Sequence, residues 1–268
     1  MFEIRIIILG AIQGLTEFLP VSSSAHLSFF QMIFGFKNML GYDIILHAAT
    51  LFALLLFFRK DIVSLTVEWI FGFSKQEYRK SAGWNYGWAV LCGTVVTALI
   101  AFPLKQFVEK ALESPSIVAL GLFFTSLLLW YIGDLKTRAR EVSLSSGLLV
   151  GFVQGIAVLP GISRSGSTIF MGRLAGLQPQ EAFRFSFLIS IPAIFGASLM
   201  EIIHMFKVGE ATLPPYWWLG ALLAFSLGFC SLVLLRKFTE RGRWKCFSVY
   251  CSVLAFSMIM FQVLGVSQ

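Results

Sequence analysis

Six stretches of this chain run for about 17 to 23 residues with almost no charge: 42–58, 86–104, 116–133, 182–204, 215–236 and 245–265. About 20 residues of helix cross a hydrocarbon core. Only helices or closed barrels satisfy their backbone polar groups there. The pattern therefore predicts an all-α polytopic membrane protein with six transmembrane helices. Charged residues make up 13% of the chain, against about a quarter in soluble domains, and mean hydropathy is +0.80. That is too few charges for a water-exposed surface. The formal net charge of +7 raises the question of nucleic acid. The basic residues lie in short loops between apolar runs, where membrane topology accounts for them and no nucleic-acid partner is needed.

Two further apolar regions are too interrupted to span. Residues 2–34 are broken by Pro20 and Ser22, Ser23 and Ser24; residues 145–175 are broken by Pro160, two glycines and a hydroxyl cluster. Each half is shorter than a bilayer crossing, so both regions are expected to form re-entrant helical hairpins. Irregular backbone at membrane depth is tolerated only where protein buries it or where it lines a wet cavity. Gln13 and Glu17 inside the first region argue against a cleaved signal peptide. Residues 61–73 read as an amphipathic helix on the membrane surface. Cys92, Cys230, Cys246 and Cys251 lie in or beside apolar runs without a Cys-x-x-Cys spacing, and read as small packing residues.

The basic residues predict the orientation. Loops 59–85, 134–145 and 236–245 carry five, three and five Lys/Arg, whereas the opposite set holds five in all: Arg5, Lys37, Lys105, Lys110 and Lys207. Basic-rich loops face the cytoplasm, which puts both termini outside. The first hairpin then enters from outside and the second from the cytoplasm.

The two hairpins also resemble each other. Gln13-Gly-Leu-Thr-Glu-Phe-Leu-Pro-Val-Ser-Ser-Ser-Ala-His26 and Gln154-Gly-Ile-Ala-Val-Leu-Pro-Gly-Ile-Ser-Arg-Ser-Gly-Ser-Thr168 share Gln-Gly-apolar, Leu-Pro and a serine cluster. An acidic residue opens the span that follows each, Asp43 and Glu181. We read the chain as a single membrane domain over 1–268, an inverted-topology repeat of about 1–133 and about 134–268. In that architecture the broken elements meet near the midplane and form the site.

The polar residues of the hairpins suit a phosphate. Glycines permit a tight loop whose N–H groups can cradle an anion, and Arg164 adds a planar, permanently charged fork. Gln13 and Glu17, four apart, share a helical face, and an oxygen pair of this kind suits a hard divalent cation bridging phosphate oxygens. A carboxylate in a membrane segment marks a functional site by default. His26 can serve as base, nucleophile or acid at phosphorus, and Ser22, Ser23 and Ser24 as donors or nucleophile; spacing does not choose. Asp43 with His47, and Glu181 with Arg184, read as supporting or gating pairs. Glu201 and His204 read as interfacial, and Pro192 as a kink.

At these residues the chain resembles the undecaprenyl-pyrophosphate phosphatases, the bacitracin-resistance family. The resemblance rests on Gln13-Gly-Leu-Thr-Glu17 leading into Pro20-Val-Ser-Ser-Ser-Ala-His26, and on Pro160-Gly-Ile-Ser-Arg-Ser-Gly-Ser-Thr168. It implies hydrolysis of undecaprenyl pyrophosphate to the monophosphate and inorganic phosphate, which recycles the lipid carrier for cell-wall synthesis. The implied location is the bacterial cytoplasmic membrane, with the site opening outward. It also implies a divalent cation, Mg2+ or Ca2+, held at Gln13 and Glu17. By match, Glu17, His26, Ser23 and Arg164 are catalytic, with Ser22, Ser24, Gly161, Ser163, Ser165 and Thr168 around the phosphate. The expected partners are the polyprenyl pyrophosphate and membrane lipid, with room left for a homodimer. Many family members have Glu where this chain has Gln13, and the neutral amide removes one anionic ligand.

Two other classes were weighed. A polyprenyl-phosphate flippase fits the repeat, but transport needs no particular His/Glu/Arg set. The lipid phosphatases with a Ser-Arg-x5-His motif are excluded because Phe170 stands where their histidine is required.

Overall fold

The computed structural model describes residues 2–36, 39–208 and 213–264. Lys37, which enters the charge count above, and the C-terminal end of the sixth expected span lie outside the described residues. The first interrupted region forms α1 (Phe2–Thr16) and α2 (Ser23–Phe34). Then follow α3 (Leu40–Phe57), α4 (Arg59–Ser74), a 3₁₀ turn (Gln76–Lys80), α5 (Ala82–Leu112) and α6 (Pro115–Ile132). The second interrupted region forms α7 (Leu144–Ile156) and α8 (Arg164–Leu174), and α9 (Pro179–Val208), α10 (Trp217–Arg241) and α11 (Lys245–Val263) complete the order. Among the described residues the only β-type pairing is a bridge between Arg140 and Leu177.

Among the described residues six helices, α3, α5, α6, α9, α10 and α11, are long and apolar enough to cross a membrane. The chain is a multi-pass membrane protein, and each of these helices overlies one of the uncharged runs. α5 is much longer than its apolar run. Ser81 caps it by accepting from the Trp84 N–H, and at the other end Lys105 and Glu109, an i,i+4 pair, carry the helix onward. Both α5 and α9 continue through an internal proline, Pro103 and Pro192.

The first helix of each broken region packs on a long helix from the other half of the chain: α1 on α10, and α7 on α5. Glycine makes both approaches possible. A Cβ on Gly10 would sit 2.2 Å from the Gly220 carbonyl oxygen, and one on Gly151 would sit 2.2 Å from that of Gly93. Close backbone approach through small residues is a principal source of helix association in membranes. α6 and α11 are joined by hydroxyls instead, with Ser126 Oγ donating to the Ser248 carbonyl at 2.8 Å and Ser248 Oγ donating to the Ser126 carbonyl at 2.7 Å.

Aromatic rings fill the centre. Phe187 of α9 lies 5.7 Å from Phe18, 4.9 Å from Phe183 and 6.0 Å from Phe58 between ring centroids. Phe18 immediately follows Glu17, so this packing fixes the point where the first broken region turns. Beyond the rings lies an ionic cluster at the start of α9. Arg184 Nη2 is 2.7 Å from Asp61 Oδ1, and the Tyr86 hydroxyl donates to Glu181.

Candidate active site

The site is assembled from the two interrupted regions. Gln13 lies in the last turn of α1, and the Glu17 N–H continues that helical geometry, donating to the Gln13 carbonyl at 2.9 Å. The i,i+4 spacing therefore brings the two side chains together: Gln13 Nε2 donates to Glu17 Oε2 at 3.0 Å. Ser23, the first residue of α2, donates its Oγ–H to the same oxygen at 2.7 Å. The other carboxylate oxygen, Oε1, is met by Arg164 Nη2 at 2.5 Å from the opposite region. The Glu17 side chain is only 3% exposed, so this charge is held away from solvent and compensated by a guanidinium 147 residues away in sequence.

The 157–163 loop is shaped to deliver Arg164. Gly161 has φ +85°, in the left-handed region that favours glycine, and a Cβ there would meet the Val118 carbonyl oxygen at 2.0 Å. Thr125 of α6 pins the loop twice: its Oγ1 donates to the Gly161 carbonyl at 2.9 Å and accepts from the Ser163 N–H at 2.8 Å. Ser163 then caps α8, accepting from the Gly166 N–H at 3.2 Å. Arg164 is the first residue of that helix and emerges beside Glu17.

Three of the hydroxyls assigned to the phosphate are turned inward. Ser163 and Ser165 are buried and bonded to each other at 3.2 Å. Thr168 bonds the Arg164 carbonyl at 2.8 Å and Ser186 Oγ at 2.5 Å. These bonds hold α8 to itself and to α9. Ser22 has φ +64°, unusual for a non-glycine, and its Oγ lies 3.1 Å from Ser24 Oγ.

His26 is buried, and its hydrogen-bond partners are outside the carboxylate cluster. Its Nδ1 is 2.8 Å from the Ser22 carbonyl, which can only accept, so Nδ1 carries a proton. Its Nε2 is 2.7 Å from the Tyr250 hydroxyl of α11, which donates when the ring is neutral. His47 joins the centre instead: Nδ1 lies 3.0 Å from Gln13 Nε2 and 3.6 Å from Glu17 Oε2. Sequence reading paired His47 with Asp43 as a supporting residue. Only its rare position inside an apolar span hinted at more. Asp43 accepts from Gln31 at 2.8 Å.

The donor set suits a hard cation. Gln13 Oε1 is buried and has no hydrogen-bond partner among the described residues. It belongs to the amide whose Nε2 meets the Glu17 carboxylate at 3.0 Å. Two oxygens of this kind, one neutral and one anionic, leave most of a divalent ion's coordination to water and phosphate, the usual manner for magnesium. When bound, such an ion would supply charge neutralisation at phosphate oxygens.

Comparison with known proteins follows the same lines. The bacitracin resistance protein BacA family matches residues 6–257. A protein named undecaprenyl-diphosphatase from Desulfosudis oleivorans is 41% identical over 265 residues, covering 95% of this chain and 96% of the relative. Proteins of the same name from Korarchaeum cryptofilum and Methanosphaera stadtmanae are 36% and 34% identical, covering 94% and 96% of this chain and 97% of each relative. A family match over residues 6–257, with relatives that match over nearly the whole length, means that the chain belongs to the bacitracin resistance protein BacA family.

Proposed function

We propose that this protein is an integral membrane phosphatase that hydrolyses undecaprenyl pyrophosphate to undecaprenyl phosphate and inorganic phosphate, recycling the lipid carrier and conferring bacitracin resistance. The observation that carries the reading is the buried cluster in which Glu17, Ser23 and Arg164 converge from two regions of the chain.

Phosphoryl transfer is mainly positioning and charge neutralisation. Arg164 turns its fork to the terminal phosphate and in doing so releases the Glu17 carboxylate. Ser23 Oγ already points its proton at Glu17 Oε2, which favours Ser23 as nucleophile and Glu17 as base over a Ser23–His26 pair. The Ser23 oxygen attacks the terminal phosphorus, its proton passes to Glu17, and the bridging P–O bond breaks with its electron pair leaving on the lipid monophosphate. Water then cleaves the phosphoserine and releases inorganic phosphate. His26, held by the Ser22 carbonyl and the Tyr250 hydroxyl, orients the end of α2 on which Ser23 stands. Ser22, Ser24 and Gly161 line the phosphate, while Ser163, Ser165 and Thr168, bonded within the protein, brace the loop and helix that carry Arg164. Gln13 and Glu17 would hold magnesium or calcium, which would supply neutralising charge at the phosphate oxygens.

We read the architecture as an inverted repeat of about 1–133 and about 134–268, with re-entrant hairpins over 2–34 and 145–175. The reciprocal packing of α1 on α10 and α7 on α5, each through a glycine three residues before the Gln-Gly pair, supports this. With the basic loops cytoplasmic, both termini lie outside and the site opens to the outer face of the cytoplasmic membrane. A homodimer is compatible with this arrangement.

The test is phosphate release from undecaprenyl pyrophosphate by the purified protein in detergent, with magnesium, with calcium and with a chelator. Multiple turnover that stops on chelation supports the reading. No turnover by the folded protein under any cation would remove it in favour of head-group translocation without cleavage.

A further inference from the structure

The Gln13 amide sits between two groups that fix which way it faces. Its Nε2 is 3.0 Å from Glu17 Oε2. A carboxylate only accepts, so the atom facing it must be the NH2 group. The same nitrogen is 3.0 Å from His47 Nδ1. An amide nitrogen cannot accept, so the ring nitrogen facing it takes the second N–H; that ring nitrogen is 3.6 Å from Glu17 Oε2, too far for a hydrogen bond of its own. Both amide donors are thereby used. The carbonyl oxygen, Oε1, is left buried and without a partner among the described residues.

We propose that His47 is a positioning residue for the reaction centre: with Glu17 it locks the Gln13 amide so that Oε1 is presented as a hard oxygen ligand to the divalent cation. The inference rests on the cation reading of the site. A carboxylate at position 13 would have two equivalent oxygens and need no such lock. An amide has one ligating oxygen and one nitrogen that repels a cation, so its orientation decides whether it binds. Glu17 alone engages one N–H; without a second acceptor the amide plane rotates about that bond and Oε1 loses its aim. His47 Nδ1 supplies the second point.

This is tested by direct cation binding, in the absence of lipid substrate, to the purified protein in detergent. Calorimetry with calcium and the spin-resonance signal of manganese both report occupancy without turnover. His47→Phe keeps a ring but removes the acceptor, and is expected to weaken cation binding about tenfold or more, within the 10–100-fold typical of partners that orient a ligand. His47→Gln restores an acceptor and is expected to recover most of that loss. In a Gln13→Glu background, where no amide needs orienting, His47→Phe should change affinity by less than about threefold. A histidine that merely fills space would shift the unfolding temperature equally in both backgrounds and leave cation affinity alone. His47→Phe binding cation as tightly as wild type, or losing equally with Gln and Glu at position 13, overturns the proposal while leaving the cation reading intact. A wild-type protein that binds neither calcium nor manganese overturns both.

Discussion

Removing Arg164 should destabilise the protein more than removing the charges of Arg164 and Glu17 together. In the folded chain the Glu17 carboxylate is 3% exposed and its Oε1 depends on Arg164 Nη2 at 2.5 Å. Arg164→Ala leaves that carboxylate buried without a counter-charge, and breaking a buried pair in this way costs about 3–5 kcal/mol. Ser23 and Gln13 still donate to Oε2, which places the cost near the lower end, about 3 kcal/mol. Adding Glu17→Gln removes the orphan charge. What remains is the loss of neutral and charge-assisted hydrogen bonds, about 1–2 kcal/mol. For a chain of this size each kcal/mol moves the unfolding temperature by about 2–4 °C. Arg164→Ala should therefore melt about 6–12 °C below wild type, and the double variant should regain several degrees although both are inactive. Thermal unfolding in detergent, followed by tryptophan fluorescence, measures this. Arg164→Ala melting with wild type, or a double variant less stable than the single, would refute the pairing as the source of the cost.

Gly161→Ala should both destabilise and inactivate: the left-handed backbone costs about 1–2 kcal/mol and the collision with the Val118 carbonyl about 1–3 kcal/mol more. A melt and a phosphate-release assay on the same sample check it. Tyr250→Phe removes the hydroxyl that meets His26 Nε2 at 2.7 Å, a loss of about 0.5–1.5 kcal/mol. It should lower kcat up to about tenfold with KM unchanged, as steady-state kinetics will report. Asp61→Ala breaks a half-exposed pair with Arg184, should cost less than about 1 kcal/mol, and should leave turnover as it is.

The spans were legible because hydrocarbon thickness writes itself directly into the length of uncharged runs, and each of the six helices overlies its run. Helix ends were less legible. α5 extends through Lys105 and Glu109 because an i,i+4 pair and a Ser81 cap sustain a helix that hydropathy does not mark. Within the site, Gln13 and Glu17 were readable from spacing alone, since one helical turn fixes their contact. The partnership of Glu17 with Arg164 crosses 147 residues; the resemblance of the two hairpins and the need of a membrane-buried carboxylate for a counter-charge were the signs that they meet. His47 carried a weaker sign, a histidine in an apolar span, and its spacing from Asp43 along the helix gave no hint of its contacts with Gln13 and Glu17. Thr125 and Tyr250 left no sign: each is a single polar group in a membrane helix whose role depends on a loop or helix remote in sequence. The serines of 160–168 were conspicuous by number, yet number does not say direction, and Ser163, Ser165 and Thr168 point into the protein.

The central claim is that one reaction centre draws indispensable groups from both interrupted regions. Phosphate release from undecaprenyl pyrophosphate, measured for wild type, Glu17→Ala and Arg164→Ala side by side at matched folded fractions, tests it most directly. A loss of about a thousandfold or more is expected from either change, because removing one oriented electrostatic group at a transition state costs on the order of 10²–10³ and here each change also unpairs the other group. Turnover within tenfold of wild type in either folded variant would mean that the corresponding region lies outside the reaction centre, and would contradict the account.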